Sequence, residues 1–285
     1  MTGSLQAAIV GAGPAGLQAA LTLGRMHVRT VLFDDREYRN ATSAKMGNVL
    51  GWDGAPSADL RAAGRAELAH YPWVRVIEDR VTGAEWGPAG PVLVTAAAEW
   101  NVERVLLATG VHDTLLPIPG VRELWGDVVL PCPYCHGHEF AAGPIAVISS
   151  GGHAEHVGGL LRGISRSVPV LPPEDVAEVA RAEAGVTIRL HDGTTVEAAC
   201  VFVPPNPVAR SAIARDLGVV ASEAGIEVDA LGRTSRAGVW AAGDAAKRTD
   251  TRIPQSVVTS MAAGLIAAAD IAADVGAARD AGAST

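Results

Sequence analysis

The chain has 285 residues, 48% of them hydrophobic, enough apolar material for one large core or two modest ones. Its net charge of -8 offers no basic face of the kind that nucleic acid or an anionic membrane needs, so a small soluble substrate is expected and neither of those partners is. The start "MTGSLQAAIVGAG" has no cationic stretch ahead of an apolar run, no apolar segment approaches the ~20 residues that cross a bilayer, and a cytoplasmic protein is expected.

In chain order, "AAIVGAGPAGLQAALTLGRM" from Ala7 predicts a short apolar strand, a Gly-rich turn and a helix that packs on a sheet through Leu17, Leu21 and Leu23. Gly11 permits the tight turn, Gly13 lets the backbone approach a pyrophosphate, and Gly16 lets helix and strand close together, with Pro14 and Ala15 completing the turn. The helix N-terminus then points unpaired amides at the phosphates. A second strand, "RTVLFDD", ends at Asp34 and Asp35, where a carboxylate accepts hydrogen bonds from a ribose. Strand, glycines, helix and acid in that order specify a dinucleotide site, and this motif alone does not separate NAD from FAD. Next, "VERVLLATG" (102–110) gives a strand running into Ala108, Thr109 and Gly110. The segment "DTLLPIPGV" reads as a linker. Beyond "PCPYCHGHEF" (131–140) come the strand "PIAVISS", the helix "HAEHVGGLLRGIS", the strand "SVPVL", and two strands, "VTIRL" and "ACVFVPP", around the turn "HDGT". Near the end, "TSRAGVWAAGDAA" puts an apolar strand before Gly243 and Asp244. The small-residue helix "PQSVVTSMAAGLIAAADIAA" follows with Gln255 and Ser256 at its start, and "GAARDAGAST" is expected to fray.

Only three cysteines are present, Cys132, Cys135 and Cys200, too few for a disulfide scaffold. The close pair Cys132 and Cys135 in a reducing compartment points to redox chemistry or metal binding. At a helix start such a pair favours thiolate, the reactive form, and His136 beside it is suited to act as general base near neutral pH. Zinc and a purely structural pair are the alternatives. Zinc needs a second ligand pair at matching spacing, while His138, His153 and His156 sit on other elements. Cys200 lies in an apolar run and reads as core.

The Gly-Asp pair with its following helix resembles the second FAD signature of the two-dinucleotide-binding flavoprotein superfamily. That resemblance implies that Asp244 holds the ribityl chain of FAD, that Gln255 and Ser256 lie near the flavin ring, and that Ala108, Thr109 and Gly110 form the hinge out of the FAD domain. FAD motif, CxxC in an inserted domain and terminal Gly-Asp together look like the low-molecular-weight thioredoxin reductase family over nearly the whole chain. The implied fold is α/β, with two dinucleotide-binding (Rossmann-like) domains of which the second is reduced. The expected boundaries are an FAD domain at 1–112 and 230–285 and an inserted CxxC domain at 113–229. In that family an acidic proton donor follows the second cysteine; here it is His136. The form "CPYCHG", with "DREYRNATSAKMGNVLGWDG" (35–54) and "HAEHVGGLLRGIS" (153–165), is more similar to the dithiol oxidases that close the disulfides of gliotoxin, holomycin and related natural products. By that resemblance Cys135 lies against the flavin, Cys132 exchanges with a small dithiol substrate, Arg39 and Asn48 contact FAD, and the protein is a homodimer. His138 stands where an aromatic residue is commoner, and catalysis and core filling are both open for it. His153 and His156 share a helix face and either line the substrate cleft or are merely packed or solvated; Trp52 covers the flavin or the substrate, or fills the core.

A reductase of this kind needs NADPH in the inserted domain. There "SSGGHAEH" keeps Gly151 and Ala154 but has Ser149 where the tight-turn glycine belongs. The following "LPPEDVAEVARAE" offers Glu174 and Asp175 where cations would grip a 2'-phosphate. Acid repels phosphate, though either carboxylate still suits an NADH ribose. The reading is therefore an FAD-dependent dithiol oxidase whose electrons leave to O2 as hydrogen peroxide. A nicotinamide-dependent disulfide reductase and a non-turning dithiol sensor are the rivals.

Overall fold

A computed structural model describes residues 4–251 and 253–283. The strands of its two parallel sheets are β1 (Ala7–Val10), β2 (Thr30–Phe33), β3 (Val74–Ile77), β4 (Val105–Leu107), β5 (Val129–Leu130), β6 (Ile145–Ile148), β7 (Val170–Leu171), β8 (Cys200–Phe202) and β9 (Val239–Ala241). The helices are α1 (Pro14–Arg25), α2 (Ser57–Leu68), α3 (Pro133–His136), α4 (Gly151–Leu161), α5 (Ala212–Asp216) and α6 (Val257–Ala283). The chain forms two compact units, one of residues 1–39, 58–112 and 207–285, the other of residues 40–57 and 113–206.

In the first unit the sheet order is β9-β4-β1-β2-β3, all parallel, so β1 sits at the centre with the sheet growing away from it on both sides. Strands β1 and β2 are buried at every position, as expected for a sheet covered on both faces. On one face α1 and α6 pack through small residues: Ala15, Ala19, Ala20, Ala267 and Ala268 share a core with Leu23, Ile271 and Val275. A Cβ at Gly264 would strike the backbone carbonyl of Ala15, so glycine is what lets these two helices touch. The other face buries Phe33, Leu93, Val105, Ile213, Leu217 and Ile226. Those last three explain why the chain rejoins this unit at Pro207 rather than at the expected residue 230: α5 and the strand Gly225–Val228 bury their apolar sides in this core.

The second unit repeats strand, turn, helix, strand on a smaller scale, in the order β7-β6-β8-β5. Its core combines Ile145, Val147, Leu161, Cys200 and Phe202 on one side with Ile148, Val179, Val186 and Ile188 on the other. An antiparallel sheet of Val176–Ala182, Gly185–Leu190 and Thr195–Ala198 is richer than the sequence suggests. "VAEVARA" has the composition of a helix, yet Val179 is buried and donates its amide to Pro119, and packing overrides propensity.

Two further expectations are corrected. The stretch 276–283 is the last part of α6 rather than a frayed tail; Ser284 and Thr285 lie outside the described residues. An apolar stretch long enough to cross a bilayer is present after all, since Val257–Ala281 meets that length and composition. Its alanines and glycines disguise its length, and its Ala267–Ile271–Val275 side is built into the core of the first unit.

Candidate active site

The three glycine-containing signatures of the first unit converge. Gly11 has φ +106° and lies so close to Ala108 that any Cβ would strike the carbonyl there, while a Cβ on Gly16 would strike the carbonyl of Gly11. Gly243, at φ +73°, approaches Ala15, whose Cβ would be 2.9 Å from one added to it. Gly13 differs: a Cβ there meets nothing within 4 Å, so this glycine faces open space beside the N-terminus of α1. Gly13 is the N-cap and makes no side-chain cap, and Pro14 occupies the first turn, so amides of that turn remain for an anion. A cradle that a side chain would crowd, beside an uncapped helix start, fits the pyrophosphate of a dinucleotide.

The carboxylates around this cradle are not equivalent. Asp244 is held by Arg39 Nη1 at 2.8 Å and by the Ser260 hydroxyl at 3.1 Å, and Gln255 bridges the same pair, accepting from Arg39 at 2.7 Å and donating to the Asp244 carbonyl at 3.2 Å. Ser256 caps α6, its hydroxyl accepting the Thr259 amide at 3.1 Å. Thr109 donates its hydroxyl to the Arg210 carbonyl at 2.7 Å, and Gly110 takes φ +67°. Asp34, expected to face a ribose, is instead enclosed: its side chain has no exposed surface and accepts from Tyr38, Arg65 and the amide of Arg36. Asp35 is partly exposed and pairs with Arg80 at 3.2 Å. Asn48 belongs to the second unit, where it takes φ +60° and donates its amide to Asp53 at 2.7 Å. Thus Arg39, Asp244, Gln255 and the three glycine turns come together within the first unit. Tyr38, Arg65 and Ser260 escape sequence reasoning; Ser260, one helical turn beyond Ser256, carries the one readable signal, since it shares a helix face with it.

In the second unit Cys132 and Cys135 form a disulfide with their Cα atoms 5.4 Å apart. Cys132 sits at the N-cap of the single-turn α3, directly after the buried edge strand β5, and His136 ends that helix. Burial pushes the His136 imidazole below its ordinary value of 6.5, against a smaller upward pull from Glu139, so the neutral base form is favoured at neutral pH. The turn is wedged on two sides. A Cβ at Gly47 would collide with the carbonyl of Cys135, and one at Gly137 would come within 2.9 Å of Ile164 at the end of α4. Gly47 explains why residues 40–57 belong to this unit, a role the sequence does not announce. His138 is exposed, which excludes core filling; His153 and His156 are exposed on α4, and Trp52 is half-buried. Cys200 is core, its thiol pushed up to about 12 by burial. Among the described residues no group of three His, Cys, Asp or Glu side chains is arranged to hold a metal ion.

The crevice where this smaller sheet reverses direction, beyond the ends of β6 and β8, is where a second dinucleotide would sit. Here it is a crease of about 400 Å³ lined by Leu115, Leu116, Pro204 and Pro205 with Ser149, His153 and Asn206, and without Lys or Arg among its described lining residues. Glu174 and Asp175 are exposed just beyond β7.

The family model described as pyridine nucleotide-disulphide oxidoreductase matches residues 5–171 and 162–264. Thioredoxin reductase tcpT of Claviceps purpurea is 30% identical over 95% of this chain and 95% of its own length. Thioredoxin reductase sirT of Leptosphaeria maculans is 27% identical over 84% of this chain and 86% of its own. Among solved structures, HlmI superposes with a TM-score of 0.86 at 32% identity over 99% of this chain and 98% of the other. An oxidoreductase from Agrobacterium tumefaciens gives 0.87 at 28% identity, over 96% and 99%.

Proposed function

The chain belongs to the pyridine nucleotide-disulphide oxidoreductase family, thioredoxin-reductase-like FAD flavoproteins, and on that premise we propose that it is an FAD-dependent oxidase of a small dithiol, of the natural-product kind, with O2 as acceptor. The observation that carries this reading is the second crevice. A nicotinamide dinucleotide needs a glycine turn and, for a 2'-phosphate, a cation; the chain has Ser149 in that turn, an apolar crease with three prolines, and two exposed carboxylates beyond β7. Electrons then enter from the thiol side. FAD would be held by Gly11, Gly13 and Gly16 at its pyrophosphate and by Asp244 and Arg39 further along.

His136 takes a proton from one substrate thiol, and the thiolate attacks Cys132, breaking the Cys132–Cys135 bond and releasing Cys135 as thiolate. The second substrate thiol attacks the mixed disulfide, so the substrate leaves as a cyclic disulfide, and two electrons and two protons stay on the protein. FAD held by the Gly11–Gly16 turn, Arg39 and Asp244 would supply the two-electron acceptor chemistry that links the dithiol to O2, for a net conversion of dithiol and O2 to disulfide and hydrogen peroxide.

That the relatives tcpT and sirT are called thioredoxin reductases favours a second reading, a nicotinamide-dependent disulfide reductase. One anaerobic experiment separates the two: mix the purified flavoprotein with NADPH, NADH or dithiothreitol and follow the long-wavelength flavin band. The oxidase reading expects bleaching by dithiol alone, reversed in air with one peroxide formed per disulfide. Fast bleaching by either nicotinamide overturns it.

A further inference from the structure

The enclosed acid at the end of β2 departs from what its position suggests. Both Asp34 oxygens accept from the Tyr38 hydroxyl, at 2.8 and 2.7 Å, one accepts the Arg36 amide at 2.9 Å, and Arg65 of α2 donates to the other. Tyr38 is fixed from its other side by the Arg61 guanidinium, 4.0 Å from its ring centroid. With no exposed surface on the Asp34 side chain, a ribose has no oxygen to reach. The turn that follows is strained: Arg36 takes φ +58°, a conformation rare for a side-chain-bearing residue, and the Asp34–Arg36 hydrogen bond holds it there. One residue beyond Tyr38, Arg39 reaches Asp244 and Gln255 at the far signature.

We propose that Asp34 and Tyr38 are positioning residues: together with Arg65 they lock the 34–39 turn so that Arg39 meets Asp244, and the cofactor is gripped through Arg39 rather than through a carboxylate–ribose contact. This rests on the FAD reading given above. Burial and the adjacent Asp34 raise the Tyr38 pKa, which keeps the phenol a donor across the working pH range. The arrangement also ties the two ends of the site together, since α2, the end of β2 and the Gly243–Asp244 turn are joined through the six consecutive residues 34–39 and their partners.

The test is a double-mutant cycle on flavin-stripped full-length protein, titrated with FAD by fluorescence quenching, with melting temperature recorded for each variant. Tyr38→Phe removes one hydroxyl and is expected to weaken FAD about tenfold, comparably to Asp34→Asn, by the loss of one charge-assisted hydrogen bond. In an Arg39→Ala background both changes are expected to lose most of their effect, because the group they position is gone. Losses that simply add across the cycle, or a Tyr38→Phe protein with unchanged FAD affinity, overturn the positioning role; a shift in melting temperature alone reports structure and likewise overturns it. Failure of the unaltered chain to take up FAD overturns the cofactor assignment itself, and the positioning role with it.

Discussion

Gly47→Ala tests whether residues 40–57 set the reactivity of the disulfide. The added methyl would point at the carbonyl of Cys135, with the carbonyl carbon 2.9 Å and the Cα 3.3 Å away, so it meets rigid backbone rather than a movable side chain. Either the 46–55 segment or the Cys135 turn has to retreat by roughly 1 Å, and a displacement of that size at reacting groups costs on the order of 100-fold in rate. Overpacking at a half-buried site adds a stability loss of about 1–3 kcal/mol. The expectation is a dithiol-dependent peroxide rate down about 100-fold, with the ratio of bound flavin to protein unchanged because the FAD cradle lies in the other unit. Gly159→Ala is the control: this exposed helical glycine has nothing within 4 Å of a Cβ, and the change should leave turnover alone and add up to about 1 kcal/mol of helix stability. A Gly47→Ala enzyme with normal turnover refutes the reasoning, because the segment would then not seat against Cys135 as described.

The acid limb of kcat/KM for the dithiol should fall below pH 6.5, since burial lowers the His136 pKa and the base form persists to lower pH. Glu139→Gln removes the opposing upward pull and should move that limb further down, while His136→Asn should abolish it and slow the reaction by about 10²–10⁴-fold; a limb at or above 6.5 speaks against His136 as base. Gly264→Ala presses a methyl into the Ala15 backbone and should cost about 1–3 kcal/mol of stability together with flavin content, because Ala15 is part of the first glycine turn. Gly276→Ala, on the same helix with nothing within 4 Å, should do neither; equal behaviour of the two variants, read by thermal unfolding and flavin absorbance, rules out the close α1–α6 contact as the cause.

What was legible in the sequence was whatever a residue does by its own backbone. Gly11, Gly16 and Gly243 are required by turns that a side chain would obstruct, so their spacing alone announces the cradle. Cys132 and Cys135 are close enough in sequence to meet in one helical turn, and they do. Illegible were the features that depend on what stands opposite. Asp34 has the right position for a ribose acceptor, and only the arrival of Tyr38 and Arg65 from a following turn and from α2 removes it from that role. Gly47 looks like any loop glycine until Cys135 lies against it, and Val176–Ala182 looks helical until its valines find a core.

The two sheets start from the same strand, turn and helix, and in both a glycine at the helix start faces open space, Gly13 in the first unit and Gly151 in the second. They diverge one step earlier, where the first unit has Gly11 and the second has Ser149, and in the three prolines, Pro117, Pro204 and Pro205, that line the second crevice. A sheet relieved of a nucleotide would be free to erode unless it did other work, and here it has work to do. β5 leads through Pro131 into Cys132, β8 with its buried Cys200 pairs with β5, and Leu161 at the end of α4 and Ile164 just beyond it pack against Gly137, just past the disulfide. The elements of this sheet thus form the mount of the redox turn, which on the oxidase reading gives a physical reason for the sheet's core to persist without a nucleotide in its crevice.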